Sequence, residues 1–191
     1  MNGLILRLVS KKVNVAGQVF LQPPNEGLKK RIFDYYSKKQ FEKQHRNVEK
    51  FEISELKNVL SKTSELFKEK NHAFQIDINK EQWVDLQIIH PIMISDKVSN
   101  SDLNKFGFVV YWTFDPTFKE DSKLHDKFKD SEKLNDFVHF KHDNIVDCYA
   151  FICGEDDDKV IEISKTFLQE IFFYQENTKY FFSISDNGRI E

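Results

Sequence analysis

Both cysteines of the chain and its densest acidic run fall in one stretch, DCYAFICGEDDDK, from Asp147 to Lys159. Two thiols beside four consecutive carboxylates raise the prospect of a metal or redox site. Strand geometry argues against it for the thiols. Residues an odd number apart on a strand point to opposite faces, and Cys148 and Cys153 are separated by five positions. They can neither chelate one ion nor form a disulfide without a bulge. Cys148 then sits with Val146, Ala150 and Ile152 on a small apolar face and behaves as a core hydrophobe. Adding His139 and His142 extends the pattern to H-x2-H-x5-C-x4-C, but zinc sites use short chelating pairs separated by a longer loop. These two histidines also differ by an odd number. The run Glu155, Asp156, Asp157, Asp158 lacks the spacing of an EF-hand loop. Carboxylates at a helix start satisfy free backbone N–H groups and the positive end of the dipole, so GEDDDK reads as a strand-to-helix turn with an N-cap, expected at Asp156 or a neighbour. No metal and no cofactor is expected.

Other chemistry is sparse. The sequence has no P-loop, no G-x-G-x-x-G, no G-x-S-x-G and no H-E-x-x-H. The one E-x-K, Glu55-Leu56-Lys57, which a nuclease would need at a sheet edge to hold a metal, falls on an amphipathic helix. The six histidines are scattered, and His90 alternates with Ile88 and Ile92 on an apolar face, as a core histidine would. An enzyme of unrecognised type would have to assemble Asp85, His90 and the carboxylates near Glu155 in space. The segment from Arg31 to Arg46 mixes cations with aromatics, the combination used for phosphate contact and base stacking. A pI near 6.1 is far from the usual nucleic-acid footprint, so nucleic acid is the third reading only.

The elements that would position these groups follow from periodicity. LILRLV and VFLQ read as short strands of a hairpin turning at Ser10–Lys12. Asn25 is a plausible N-cap for a helix reaching toward Arg46. Ile53, Leu56, Leu60, Thr63 and Phe67 recur at helical spacing, with Lys57, Lys62 and Lys68 facing outward. Then the period becomes two. Phe74, Ile76 and Ile78 alternate with polar residues, and after a short turn Val84, Leu86, Ile88, Ile92 and Ile94 share a face, which predicts an antiparallel hairpin. Pro91 predicts an edge or a bulge there. Strands follow at Phe106–Phe114, at FVHF and at IVDCYAFIC. The polar segment 117–136 reads as a short helix or an excursion, and a helix from GEDDD to about Tyr174 should be the main packing helix. KYFFSIS is the last strand. This order predicts an α+β fold: an antiparallel or mixed sheet of about 5–6 strands, with amphipathic helices mainly on one face. A crossover from the Ile145 strand to the Tyr180 strand would give one parallel pair.

At 191 residues, 40% hydrophobic and 31% charged, the chain suits a single α+β domain. Its charge is uneven. Residues 1–70 hold 15 Lys+Arg against 8 Asp+Glu, net +7, and residues 71–191 hold 13 against 23, net −10. The first part is basic and helix-rich, the second acidic and strand-rich. Lys, Asn, Ile and Phe are favoured, as in a low-GC bacterial genome. No apolar run of about 18 residues reads as a membrane span, and LILRLV is too short for a signal peptide, so the expected location is the cytoplasm with both thiols reduced. In general style the chain is similar to many bacterial immunity proteins, at the level of class and without a residue match. The first expectation is therefore a non-enzymatic, inhibitor-like binding protein that meets a basic protein partner through Trp83, Asp85, Tyr111, Glu155, Asp156, Asp157 and Asp158. No membrane partner is expected.

Overall fold

A computed structural model of the chain describes residues 11–15, 18–22, 31–32, 35–36, 38–39, 49–80, 84–98, 106–116, 119–131 and 136–190. The chain divides into two compact units, Met1–Glu49 and Lys50–Glu191. In the first, strands β1 (Lys11–Val15) and β2 (Gln18–Gln22) form an antiparallel hairpin in which Val15 faces Gln18. The expected turn at Ser10–Lys12 therefore moves, because Lys11 and Lys12 lie within β1. LILRLV and Asn25 lie outside the described residues. Residues 31–32, 35–36 and 38–39 are helical, as the spacing predicted.

The second unit is an α+β structure. Among its described residues there are seven strands, β3 (Phe51–Glu52), β4 (His72–Asn79), β5 (Leu86–Ile89), β6 (Phe108–Phe114), β7 (Val138–His142), β8 (Val146–Gly154) and β9 (Lys179–Arg189). They lie in the order β3-β9-β4-β5-β6-β8-β7, and every neighbouring pair is antiparallel. The count exceeds the 5–6 expected, since the two-residue β3 carries no periodicity to read. The helices are α1 (Leu56–Lys70), α2 (Lys119–Lys129) and α3 (Asp157–Glu170). Among the described residues no helix is long and apolar enough to cross a membrane.

Helix α1 buries Leu56, Leu60, Thr63 and Phe67, the stripe its spacing predicted, and ends at Asn71 in the left-handed conformation that asparagine tolerates. With Phe128 of α2 and Val160, Phe167 and Leu168 of α3, these side chains cover one face of the sheet, packing on Phe74, Ile76, Ile88, Val110 and Trp112. The other face carries a smaller cluster of Ile89, Ile94, Val109 and Ala150, with Tyr111 and Phe140 at its margin.

Three local expectations are corrected. Strand β5 stops at Ile89, and Pro91–Ile94 is a turn of 3-10 helix, because proline supplies no N–H to a ladder and fits the first helical position. Helix α3 ends at Glu170 and does not reach Tyr174. The crossover from β8 to β9 makes no parallel pair, since β6, β5 and β4 lie between them. Beside the start of β6, a Cβ on Gly107 would lie 2.9 Å from the Gly154 carbonyl carbon, so that close approach requires glycine.

Candidate functional site

The residues singled out from the sequence fall in separate places. Trp83 lies outside the described residues. Asp85 is buried at the start of β5. Its Oδ2 accepts from the Lys80 backbone N–H at 2.7 Å and its Oδ1 from the Tyr174 hydroxyl at 3.0 Å. The carboxylate ties a loop to the segment that follows α3. His90 lies beyond the other end of the same strand, about 16 Å away along an extended backbone. Its Nδ1 accepts from the Ile92 N–H at 3.1 Å, and burial lowers its pKa to about 4. Asp85, His90 and Glu155 do not converge.

Tyr111 is half-buried on the sheet face away from the helices, its ring stacked on Phe140 with centroids 6.3 Å apart. Burial raises its hydroxyl well above the usual tyrosine value, and Cys148 beside it adds to the effect. The two cysteines lie on opposite faces of β8, Cys153 within the helix-side core and Cys148 on the Ala150 side. Burial raises both thiols, Cys153 to about 12. Among the described residues no group of three or more His, Cys, Asp or Glu side chains is arranged to hold a metal ion.

The acidic run at the start of α3 is engaged within the unit. Asp156 Oδ1 accepts from the Lys159 N–H at 3.0 Å and is the N-cap. Glu155 pairs with Lys68, and Asp158 meets Lys57 at 2.7 Å. The lysines that face outward from α1 thus meet the carboxylates that open α3. Asp157 is left with a raised pKa, from burial first; the carboxylates of Asp158 and Asp156 add to it, and Lys57 and Lys68 oppose it.

One constellation escaped the sequence reading. His139 and Lys141 of β7 face Tyr149 and Asp147 of β8 in register, so the four share a face beneath α2. His125 descends from α2 with its Nε2 2.8 Å from the Tyr149 hydroxyl, and its Nδ1 lies 3.9 Å from Asp147. The His139 Nε2 meets Asp147 at 2.7 Å, and the Lys141 Nζ lies 3.8 Å from the same carboxylate. Burial alone would raise the Asp147 carboxyl, but the His139 hydrogen bond with Lys141 and His125 nearby holds it below the usual range. Burial, with Lys129 second, lowers His125; burial and the Asp147 charge raise Tyr149 to about 12. The chain of groups can pass a proton, yet His125 is stacked on Phe114 at 4.8 Å and Tyr149 packs against Phe128 at 4.7 Å. The signal was available: once FVHF and IVDCYAFIC are paired, all four strand residues carry odd numbers.

A second grouping lies at the far end of α3. Phe173, just past the helix, is 66% exposed and has a φ of 55°. The Tyr174 N–H reaches back to the Leu168 carbonyl at 3.1 Å, closing the helix end around it. The Lys127 ammonium of α2 stands 4.3 Å above its ring. Between α3 and the end of α2 lies a small cleft lined by Phe128, Phe137, Phe151, Phe167, Ile163 and Ile171 together with the polar Ser131, Thr166, Asp136 and Glu170. No family model, no curated protein and no solved structure matches this chain.

Proposed function

We propose that the chain is a non-enzymatic binding protein of the cytoplasm, whose Lys50–Glu191 unit takes a basic protein partner at the Phe173 end of α3. Phe173 carries this reading. A bulky residue in the left-handed region costs about 1–2 kcal/mol relative to a relaxed backbone. That cost is usually avoided by glycine at this position after a helix. Here the strained residue stays two-thirds exposed, its ring under the Lys127 ammonium. An exposed aromatic held in a fixed position is the kind of side chain that anchors protein interfaces. Charge supplies the class of partner: residues 50–191 hold 18 Lys+Arg against 27 Asp+Glu, net −9, which favours encounter with a cationic surface. The acid–base alternative draws on His125 and Tyr149. It is the weaker reading, because Phe114 and Phe128 pack against the rings that would have to meet a substrate.

The Phe173→Gly variant tests the binding reading, because strain and exposure predict opposite effects on stability and on binding. The variant should unfold at a higher temperature, its stability raised by about 0.5–1 kcal/mol as the backbone strain is relieved. It should also lose a protein that the natural chain retains from its host's extract at low salt and releases at raised salt. Retention of the same proteins by both chains would end the proposal. A lower melting temperature for the variant would mean that Phe173 serves the fold.

A further inference from the structure

Helix α2 is attached to the sheet at few points. Of its described side chains only His125 and Phe128 are buried, Leu124 is partly so, and Lys123, Asp126, Lys127 and Lys129 stand in solvent. Phe128 is an apolar anchor among Phe114, Phe137, Tyr149 and Phe167. His125 is an anchor of a different kind, because its fit depends on its charge. The buried Tyr149 hydroxyl keeps its proton, and its hydrogen-bond partner among the described residues is the His125 Nε2 at 2.8 Å. A neutral His125 accepts from that hydroxyl. A charged one carries N–H on both nitrogens, so the hydroxyl loses its acceptor and has to turn its hydrogen toward the rings of Phe114 and Phe128. The surrounding charges act in the same direction. From β8, Asp147 lies 3.9 Å from the His125 Nδ1, but from β7 it already meets His139 at 2.7 Å and Lys141 at 3.8 Å. On α2 itself Lys129 opposes a charge on His125 and Asp126 favours it, while β6 presents the uncharged ring of Phe114. With both histidines protonated, three cations share the Asp147 carboxylate. Burial first and Lys129 second hold the docked His125 below the usual histidine value.

We propose that α2 is an acid-released strap: protonation of His125 undocks the helix from β6 and β8 and withdraws Lys127 from the ring of Phe173. A helix held by so few buried side chains opens locally before the sheet does. Above pH 6.5 His125 is neutral whether α2 is docked or free, and the strap stays closed. Below it the free imidazole takes up a proton that the docked one resists, so the open state gains up to about tenfold per pH unit. In its bearing on function the inference rests on the binding reading above and adds its regulation. Once α2 is released, Phe173 presents a bare ring, without the Lys127 cation that competes with a basic partner for it.

The test follows the full chain, isotope-labelled, from about pH 7 to about pH 5, the range in which a free histidine charges. Amide-exchange protection at Leu124–Phe128, corrected for the intrinsic pH dependence of exchange, should fall relative to that at Val160–Leu168 of α3. The Lys127 ε-methylene signals should lose the displacement that the Phe173 ring causes. Taking α3 as the reference separates local release from a general loss of stability in acid, to which His90 contributes. His125→Gln, which keeps an acceptor for the Tyr149 hydroxyl and takes up no proton, should hold the ratio of α2 to α3 protection constant. Lys129→Gln removes an exposed cation that opposes the charged imidazole, so its ratio should fall less steeply than that of the natural chain. This second variant decides the matter if His125→Gln leaves α2 undocked at every pH. A ratio in the natural chain that does not change with pH, or one that changes equally in Lys129→Gln, would overturn the inference. These results separate from those of Phe173→Gly. If that variant keeps every partner while acid releases α2, the binding reading falls and the strap stands. If it loses its partner while α2 protection ignores pH, the binding reading stands and the strap falls.

Discussion

His90 and Phe173 break the usual placement of their residue types in opposite directions. The histidine is 3% exposed, held between the rings of Phe74 at 5.5 Å and Phe106 at 5.3 Å, and its Nε2 has no hydrogen-bond partner among the described residues. Such a site accepts the neutral imidazole and excludes the charged one, which is why the pKa falls from 6.5 to about 4. The consequence for stability has a definite sign. Above pH 6.5 both folded and unfolded chains carry neutral His90, and its contribution is complete. As the pH falls toward 4 only the unfolded chain takes up the proton, so stability is lost by up to about 1.4 kcal/mol per pH unit. His125 shifts in the same direction, so the measurement is a comparison. Denaturant unfolding across pH 4–6.5 should show a shallower loss for His90→Asn, which keeps an acceptor for the Ile92 N–H, than for the natural chain. Equal slopes would remove His90 from the acid sensitivity. The apolar alternation at Ile88, His90 and Ile92 made the buried histidine legible. Phe173 was not legible, because a left-handed phenylalanine leaves no mark in the sequence.

At the scale of elements, α3 is a case where local chemistry was sufficient. A run of carboxylates after Gly154 marks a helix start wherever the chain is placed, since free N–H groups and the helix dipole act within one turn. The structure makes Asp156 the cap and gives its neighbours Glu155 and Asp158 to Lys68 and Lys57 of α1. Asp156→Ala should lower stability by about 0.5–2 kcal/mol, measured by thermal or denaturant unfolding. A change below that range would show that Asp157 or Asp158 replaces the cap. The fate of the other carboxylates was not legible. Which helix lies beside the start of α3 depends on strand order, and the cations come from about a hundred positions earlier in the chain. Strand β5 is the converse case. Its alternation continues through Ile92 and Ile94, but Pro91 ends the ladder, and Ile94 is buried in a 3-10 turn against the opposite face of the sheet.

For the whole molecule, the boundary between units falls between Glu49 and Lys50, so α1 belongs with the sheet it covers. Charge follows this division. Residues 1–49 hold 10 Lys+Arg against 4 Asp+Glu, net +6, beside the −9 of residues 50–191. Among the described residues, the members of both apolar clusters lie within Lys50–Glu191. A fragment of those residues should therefore fold by itself in one cooperative transition, with a dispersed amide spectrum. A broad, non-cooperative melt would mean that the first 49 residues complete the core. The two faces of the sheet also explain why the cysteines stay apart: Cys153 joins the helix-side cluster, while Cys148 is buried on the opposite face of β8, the side of Ala150.

Periodicity by itself determined that this chain is α+β, that α1 and α3 pack by the stripes beginning at Leu56 and Val160, and that Cys148 and Cys153 point apart. These are short-range properties: backbone geometry sets which side chains share a face, and burial demands that the apolar ones do. Only the tertiary structure decided that β9 inserts beside β4, far from β8, that Lys57 and Lys68 meet the acidic turn, and that His125 reaches Tyr149. It alone decided that α2 and α3 leave a small cleft lined in part by Asp136 and Glu170. Those juxtapositions come from strand order and helix placement, which are set by many weak contacts between distant segments and are not written in any local spacing.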